Sequence, residues 1–265
     1  MNKQIRSVVI TGAAGGIGRA ACERLAASGW NVLAVDLDAA KLGWTTAAGM
    51  ASIVADVASE KDNMRMIAEA EARFGGLDAA IFNAGVTGGG GIEELPMAGF
   101  RRVLDVNLCG TVLGIRAALP ALRRRGGGAI AVTSSTMGVA ADAENWAYCA
   151  SKHALIGIVR SLSREIGWQG IRINALCPGL TQDTGMTAAL RDLAPAQFAQ
   201  LARGVPLQRW AEAGEMAAVL EFLVSPSSSY VNGHALVADG GAMVGTGLAP
   251  PLAGARPAVP EANDG

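Results

Sequence analysis

The sequence predicts an α/β protein with a doubly wound sheet of seven parallel strands flanked by helices. Three observations predict it: seven short runs rich in β-branched residues, longer Ala- and Leu-rich segments between them, and apolar residues at helical spacings within those segments. Strands that alternate with helices pair in parallel, and helices then cover both faces of the sheet. The length of 265 residues suits one such domain.

The seven predicted strands and the helical segments follow one another in regular alternation. The strands are 7–10, 31–35, 52–55, 79–82, 129–133, 172–176 and 235–238, and the helices begin near Ile17, Glu60, Pro96, Trp146 and Gly214. Residues 185–204 form an additional helical segment, within a predicted substrate-binding insertion at about 181–210. We therefore expect one domain over residues 1–245.

Residues 246–265 form an Ala/Pro/Gly-rich tail without periodicity. The tail has too few apolar side chains to offset an ordering cost of roughly 1–2 kcal/mol per residue. We expect it to be disordered, or ordered only by a partner subunit.

Composition limits the classes of partner. Hydrophobic residues make up 51% of the chain and charged residues 17%, below the usual share of about 25%, which indicates extensive burial, including burial between subunits. The net charge is −1, and the one tight basic cluster, 123–125, is typical of a solvated helix end. Neither a nucleic acid nor a membrane is an expected partner, since no apolar run reaches the ~18 residues of a membrane span.

Four scattered cysteines predict neither a zinc site nor a disulfide framework. Cys22, Cys109, Cys149 and Cys177 include no CxxC pair. The chain also enters an apolar strand within a few residues of its start, which leaves no room for a secretory leader. We expect reduced thiols in a cytoplasmic protein, and no metal site.

A glycine-rich turn directly follows the first strand and opens the first helix. It reads Thr-Gly-Ala-Ala-Gly-Gly-Ile-Gly over residues 11–18. Glycines in this position let the backbone approach a diphosphate, while free N–H groups and the helix dipole face the anion. The turn therefore predicts a dinucleotide site.

The acid that ends the second strand predicts which dinucleotide binds. Asp36 follows the turn by about 20 residues, the position from which a carboxylate accepts hydrogen bonds from the adenosine ribose and repels a 2′-phosphate. No Arg or Lys occupies Ala13, Ala14 or Leu37, where a cation would neutralise that phosphate. The sequence favours NAD over NADP.

Tyr148 and Lys152 carry the predicted chemistry. Four-residue spacing places both on one face of a helix, and Ser134 and Ser135 end the preceding strand. A free phenol has a pKa near 10, but a neighbouring ammonium and a cationic nicotinamide favour the phenolate. Tyr148 would then take a proton from an alcohol as hydride leaves its carbon.

Together these motifs resemble the short-chain dehydrogenase/reductase family, over about residues 6–241 and in the family's order. Gly12, Gly16 and Gly18 match its TGxxxGIG turn, and residues 83–85 match its NAG element. The resemblance implies a single-domain Rossmann-type fold, an NAD-dependent hydride transfer between a secondary alcohol and a ketone, and a homotetramer, with a homodimer as the alternative. The tetramer would pair helices at about 100–124 and 147–166.

By this resemblance Asn107, Ser135, Tyr148 and Lys152 form the catalytic tetrad. Ser135 is chosen over Ser134 because it lies 13 residues before Tyr148; Ser134 stays a candidate neighbour of the nicotinamide or substrate. The serine would hold the substrate oxygen, the lysine would bind the nicotinamide ribose and lower the tyrosine pKa, and the asparagine would help to fix a relay water.

The resemblance also implies the cofactor-binding residues. They are Gly12, Ala14, Gly15, Gly16, Ile17, Gly18, Asp36, Leu37, Asp56, Val57, Asn83, Ala84, Gly85, Tyr148, Lys152, Pro178, Gly179, Thr181 and Thr184. Asp56 and Val57 would contact adenine, and the nicotinamide carboxamide would meet the backbone at Thr181. The sequence departs from the family where a threonine usually follows the proline by five residues, because Asp183 stands there and Thr184 comes next.

On the substrate side we expect contacts from Ser135, Trp146 and Tyr148, although a tryptophan at a helix start is more often a packing residue. No motif names the substrate.

Two other functions stay open. One is an NADPH-dependent 3-oxoacyl-thioester reductase, which Asp36 disfavours. The other is a dinucleotide-sensing regulator without catalysis, although such a protein usually lacks the tyrosine or the lysine.

Overall fold

Seven parallel strands form one sheet at the centre of the protein, as the sequence predicts. The computed structural model describes residues 6–182 and 184–245, so the predicted tail at 246–265 and Asp183 lie outside the described residues. The strands are β1 (Ser7–Thr11), β2 (Asn31–Asp36), β3 (Met50–Val54), β4 (Ala79–Phe82), β5 (Gly128–Thr133), β6 (Ile171–Pro178) and β7 (Ala235–Ala238). Their order across the sheet is β3-β2-β1-β4-β5-β6-β7.

Eight α-helices accompany the sheet in the described residues. They are α1 (Gly16–Ala27), α2 (Glu60–Phe74), α3 (Met97–Leu104), α4 (Gly110–Arg124), α5 (Trp146–Ile166), α6 (Ala188–Leu193), α7 (Pro195–Arg203) and α8 (Ala213–Val224). Alternate strand residues enter opposite cores, as the pleat requires. Val9, Leu33 and Ile130 pack beneath α2, α4 and α5, whereas Val8 and Ile10 pack beneath α1 and α8.

The direction of strand order reverses between β1 and β4, because the chain runs outward from β1 to β3 and then returns beside β1. In a doubly wound sheet this switch leaves a crevice at the carboxyl ends of the strands, and ligands bind there. The glycine turn after β1, Asp36 and residues 83–85 all follow strands at this edge. The fold therefore collects the predicted motifs along one crevice.

The helical stretch Met97–Arg124 contains an irregularity that the sequence analysis did not predict. A π-helical segment, Asp105–Cys109, joins α3 to α4 and places Asn107 at its centre. Within the described residues this is the one helix long and apolar enough to cross a membrane by length and composition, with a mean hydropathy of 1.3. Its buried residues Ile115, Ala118 and Leu122 pack into the core beside α2 and β5, and 39% of its most apolar window is buried.

The segment after β6 leaves the sheet and returns through two short helices, α6 and α7, where the sequence predicts an additional helical segment. Phe198 of α7 stacks on Trp210 with ring centroids 4.1 Å apart. The Trp210 indole N–H also donates to the Phe198 carbonyl oxygen at 2.9 Å. These contacts anchor the segment beside the carboxyl ends of β6 and β7.

Candidate active site

The turn between β1 and α1 depends on glycine at three positions. Gly12 and Gly16 have φ values of +71° and +50°, which side chains disfavour. At Gly18 an added Cβ would overlap the carbonyl oxygen of Gly12. Only glycine permits this close return of α1 onto the end of β1.

The amino end of α1 has the properties of an anion site. Gly15 precedes the helix with extended backbone, and no side chain caps the helix N-terminus. A Cβ at Gly15 would meet none of the described residues within 4 Å, so they leave the space in front of the turn open. Uncapped N–H groups at a helix start and an open approach fit a diphosphate, and Ala14, Ile17 and the glycines would surround it.

Asp36 stands beside this turn at the end of β2. Its Oδ2 accepts the Ala14 backbone N–H at 2.9 Å and its Oδ1 accepts the Asp38 N–H at 3.2 Å. These bonds fix a half-buried carboxylate within reach of the cofactor crevice. Leu37 follows it and is 64% exposed, and Lys41 pairs with Asp38 at 3.1 Å.

The NAG element is tied to the glycine turn through Thr11, a residue that the sequence analysis did not assign. The Thr11 hydroxyl accepts the backbone N–H groups of Asn83 and Ala84 at 3.0 and 3.2 Å. The Asn83 side chain donates to the Gly12 carbonyl oxygen at 3.4 Å. The ends of β1 and β4 therefore form one rigid floor for the crevice.

Asp56 and Val57 follow β3 at the same edge. The Asp56 N–H donates to the Asp62 carboxylate at 2.9 Å, and the Asp56 carboxylate accepts the Ala58 N–H at 2.9 Å. The Val57 carbonyl oxygen accepts the Asn63 amide at 2.7 Å. Both residues are half-buried, so their position fits the predicted adenine end of the crevice.

Tyr148 and Lys152 lie one turn apart on the buried face of α5. Lys152 Nζ is 5.4 Å from the centre of the Tyr148 ring and donates to the Thr133 carbonyl oxygen at 2.8 Å. A Cβ on Gly85 would lie 3.5 Å from the same Nζ. The lysine thus stands between the end of β5 and the NAG element.

Burial moves the pKa values of these two groups in opposite directions. It lowers the pKa of Lys152 to about 8 and raises the pKa of Tyr148 to about 12, against a smaller lowering from hydrogen bonding with Ser135. The lowered phenol pKa that the sequence analysis predicts is therefore absent from the protein alone. Loss of hydration on burial outweighs the hydrogen bond with Ser135, and Tyr148 is protonated at neutral pH.

The two serines after β5 have different surroundings. Ser134 is 1% exposed and its hydroxyl donates to the Lys152 backbone carbonyl oxygen at 2.9 Å, so it supports α5 and does not face the crevice. Ser135 is half-buried, interacts with Tyr148 and accepts the Met137 N–H at 3.1 Å. Of the two hydroxyls, the structure brings that of Ser135 to the phenol.

Asn107 is fully buried and its amide is engaged on every side. Oδ1 accepts the Val86 N–H at 2.8 Å, and Nδ2 donates to the Val86 carbonyl at 2.9 Å and to Ser151 Oγ at 3.1 Å. Its backbone carbonyl oxygen accepts the Thr111 hydroxyl at 2.9 Å. Asn107 thus joins the π-helical segment, the NAG loop and α5.

The chain after β6 folds back onto the glycine turn. A Cβ at Gly179 would lie 2.6 Å from the Asp239 Cβ, so glycine after Pro178 permits contact with the end of β7. Thr181 is buried and forms an isolated parallel β-bridge with Ala211.

Thr184 lies directly against the turn, since a Cβ on Gly16 would be 3.1 Å from its Cα. Thr187 organises this return: its hydroxyl donates to the Thr181 carbonyl oxygen at 2.7 Å and lies 2.9 Å from Thr184 Oγ1. The sequence analysis did not single out Thr187.

Trp146 begins α5 and packs on Phe100 of α3, with ring centroids 5.0 Å apart. Its indole N–H is buried and has no hydrogen-bond partner in the described part of the chain. The ring contact shows the packing role that the sequence analysis weighed against substrate contact.

Comparison with known proteins places the chain in context. A family model described as enoyl-(acyl carrier protein) reductase matches residues 12–243. Levodione reductase of Leifsonia aquatica is 34% identical over 249 residues, which cover 89% of this chain and 93% of that protein. A crystal structure of a levodione reductase, 34% identical in sequence, superposes with a TM-score of 0.83, covering 89% of this chain and 96% of the other.

Two further relatives are diol dehydrogenases by name. The 2,5-dichloro-2,5-cyclohexadiene-1,4-diol dehydrogenase of Sphingobium indicum is 35% identical over 89% of this chain and 96% of its own length. The meso-2,3-butanediol dehydrogenase of Serratia marcescens is 36% identical over 91% of this chain and 95% of its own.

Proposed function

Because this chain belongs to the short-chain dehydrogenase/reductase family, whose members are oxidoreductases that use a nicotinamide dinucleotide, we propose that it is an NAD(H)-dependent enzyme that interconverts a secondary alcohol and its ketone. One observation carries the proposal: Lys152 Nζ and the Tyr148 ring lie 5.4 Å apart, beside the crevice that the glycine turn opens.

NAD is the proposed cofactor, and it would supply or accept the hydride when bound. The backbone of residues 12–18 would hold its diphosphate, and Thr184, packed on Gly16, would cover it. The Asp36 carboxylate would accept hydrogen bonds from the adenosine ribose hydroxyls, while the Ala14 N–H holds that carboxylate in place. A 2′-phosphate there would meet that carboxylate, which is the reason for preferring NAD to NADP.

Tyr148 is the proposed general acid and base. At neutral pH its phenol is protonated, so in ketone reduction it donates that proton to the carbonyl oxygen, which the Ser135 hydroxyl also holds. In alcohol oxidation the phenol must first lose its proton. Lys152 favours that loss through its positive charge, and Asn107 would help to fix a water through which the proton leaves.

The proposed substrates are neutral secondary alcohols and ketones that contact Ser135, Tyr148 and Trp146. The names of two relatives indicate a dione and a cyclohexadiene diol, so diones and cyclic diols come first among the candidates. The insertion at about 181–210 would close the substrate side of the crevice.

A homotetramer in the cytoplasm is the proposed assembly, with a dimer as the alternative. On α5 the residues Ala150, His153, Gly157 and Ser161 are exposed and form one stripe of mostly small side chains. Such a stripe lets a second helix approach closely. The four cysteines are free thiols, which suits a reducing compartment.

One alternative is the NADPH-dependent reduction of a 3-oxoacyl thioester, which would have to accommodate a 2′-phosphate beside Asp36. The description of the matching family model, enoyl-(acyl carrier protein) reductase, names the thioester class but not reduction of a 3-oxo group. A cofactor-sensing regulator without catalysis is the other alternative, and the retained Tyr148 and Lys152 argue against it.

The absorbance of NADH tests the proposal directly. Purified protein with NAD is offered cyclic secondary alcohols, linear diols, hydroxysteroids and hydroxy acids, and NADPH with a 3-oxoacyl thioester is tested in parallel. We expect NADH formation with at least one alcohol and less with NADP. Activity confined to NADPH and the thioester would establish the alternative, and binding of NAD without any turnover would favour the regulator.

A further inference from the structure

We propose that Ser151 is a positioning residue of the active site, which couples the Asn107 amide to the first turn of α5 and so sets where Tyr148 and Lys152 stand. The inference rests on the proposed function, because its readout is the rate of the proposed reaction. Ser151 lies between Tyr148 and Lys152 in the sequence and is not one of the residues that the family resemblance assigns to the site.

Ser151 makes two buried hydrogen bonds with its one hydroxyl. Oγ donates to the Tyr148 backbone carbonyl oxygen at 2.7 Å and accepts the Asn107 Nδ2–H at 3.1 Å. Ser151 is 0% exposed, as is Asn107. A serine inside a helix usually destabilises the helix slightly by hydrogen bonding back to the preceding turn. The favourable interaction at this position is therefore the hydrogen bond to Asn107, outside the helix.

The other side of the Asn107 amide is fixed to the NAG loop. Two bonds, at 2.8 and 2.9 Å, join it to the backbone of Val86, the residue after Gly85. Lys152 Nζ lies 3.5 Å from where a Gly85 Cβ would stand. A continuous chain of hydrogen bonds therefore runs from the floor of the cofactor crevice to the carbonyl oxygen of Tyr148.

Ser151 acts through this chain and not on the substrate, because its side chain has no exposed surface. Without its hydroxyl, one amide hydrogen of Asn107 loses its partner, and α5 loses its one described side-chain bond to Asn107. A buried donor without a partner costs about 1–3 kcal/mol, which the protein can relieve by shifting α5 away from the NAG loop. The shift would move the Tyr148 phenol away from the Lys152 ammonium, which the Thr133 carbonyl oxygen holds at the end of β5.

The test compares Ser151→Ala with wild type in alcohol oxidation with saturating NAD. We expect kcat to fall on the order of 10-fold, since small displacements of catalytic groups are costly, with less than about a twofold change in the KM of the alcohol. The acidic limb of the pH profile of kcat should also move to higher pH, because a phenol farther from the ammonium is harder to ionise.

Ser228→Ala is the matched control. Ser228 is also 0% exposed, and its hydroxyl donates to the carbonyl oxygens of Leu223 and Ser225 at 2.9 and 3.0 Å, at the end of α8 and away from the crevice. It should lower the melting temperature about as much as Ser151→Ala does, without moving kcat or the pH limb. Ser151→Cys, which keeps the volume and a weak donor, replaces the alanine variant if that variant does not fold.

A double-mutant cycle with Asn107→Ala separates coupling from general damage. If the pair acts as one unit, Ser151→Ala should reduce kcat little further in the Asn107→Ala background. Wild-type kcat in folded Ser151→Ala, or fully multiplicative losses in the cycle, would overturn the inference. Absence of alcohol oxidation by the wild type would instead contradict the proposed function.

Discussion

Lys152 Nζ donates to the Thr133 carbonyl oxygen at 2.8 Å while it lies 5.4 Å from the centre of the Tyr148 ring. The ammonium is therefore held at the end of β5 by a backbone carbonyl oxygen. Its burial lowers its pKa to about 8, and burial raises the pKa of Tyr148 to about 12. Burial disfavours the charged form of each group relative to water, although Lys152 still carries its proton at neutral pH.

Tyr148→Phe should abolish turnover, by at least about 100-fold given the usual contribution of acid–base catalysis, and leave NAD affinity nearly unchanged, because only the proton-transfer group is removed. Steady-state rates and calorimetric titration with NAD measure the two effects. The chain's other tyrosine, Tyr230, is fully exposed, so Tyr230→Phe is the matched control and should retain full activity. Turnover by Tyr148→Phe at the wild-type rate would remove this phenol from the mechanism.

Asp36→Ala should reduce the preference for NAD over NADP by about tenfold or more, since close like charges cost several kcal/mol. The ratio of kcat/KM values for the two cofactors is the measurement. Asp38→Ala serves as control, because Asp38, two residues after Asp36, pairs with Lys41. An unchanged ratio in the Asp36 variant would show that its carboxylate does not face the ribose.

Lys152 should make stability depend on pH in a defined window. Its folded pKa, about 8, lies below the value of about 10.4 in an unfolded chain. Between these values the unfolded chain binds more protons, so this group raises the free energy of unfolding as pH rises. Lys152→Met removes that contribution.

Between pH 8 and pH 9.5 the free energy of unfolding of wild type should therefore rise by about 1.5 kcal/mol relative to that of Lys152→Met. Urea titrations at several pH values measure the difference. Lys61→Met changes an exposed position of α2, so its free energy of unfolding should change with pH as that of wild type does over the same range. A constant difference between wild type and Lys152→Met would mean that Lys152 ionises as it does in water.

The sequence placed the strands well, because buried parallel strands are short apolar runs that periodicity detects. The predicted beginnings of β1, β2, β4 and β7 coincide with those in the structure. The π-helical segment at Asp105–Cys109 was not predicted. At its centre lies Asn107, whose side-chain partners Val86 and Ser151 are 21 and 44 residues away along the chain, so no local pattern shows them.

The same limit applies to the site. The four-residue spacing was enough to put Tyr148 and Lys152 on one helical face. Ser135 was chosen over Ser134 by its distance from Tyr148 along the chain, not from the alternation of side chains along the strand. The raised pKa of Tyr148 depends on how completely the neighbouring elements exclude water. The contact of Thr184 with Gly16 depends on how the chain returns after β6, which no local pattern encodes.

Gly157→Arg should dissociate the proposed tetramer into smaller species. A Cβ at Gly157 meets nothing within 4 Å in the single chain, so an arginine there is compatible with the fold but not with a second helix packed on α5. Sedimentation velocity measures the mass. Ala72→Arg, at an exposed position of α2, is the control and should match the wild-type mass, and an unchanged mass for Gly157→Arg would show that α5 is not a subunit contact.

The most direct test of the central claim is a crystal structure with oxidised NAD bound. We expect the Lys152 ammonium within about 2.7–3.2 Å of a nicotinamide ribose hydroxyl, the Asp36 carboxylate on the adenosine ribose, and the Tyr148 phenol facing the carbon that accepts hydride. A dinucleotide whose nicotinamide lies away from Tyr148 and Lys152 would contradict the account.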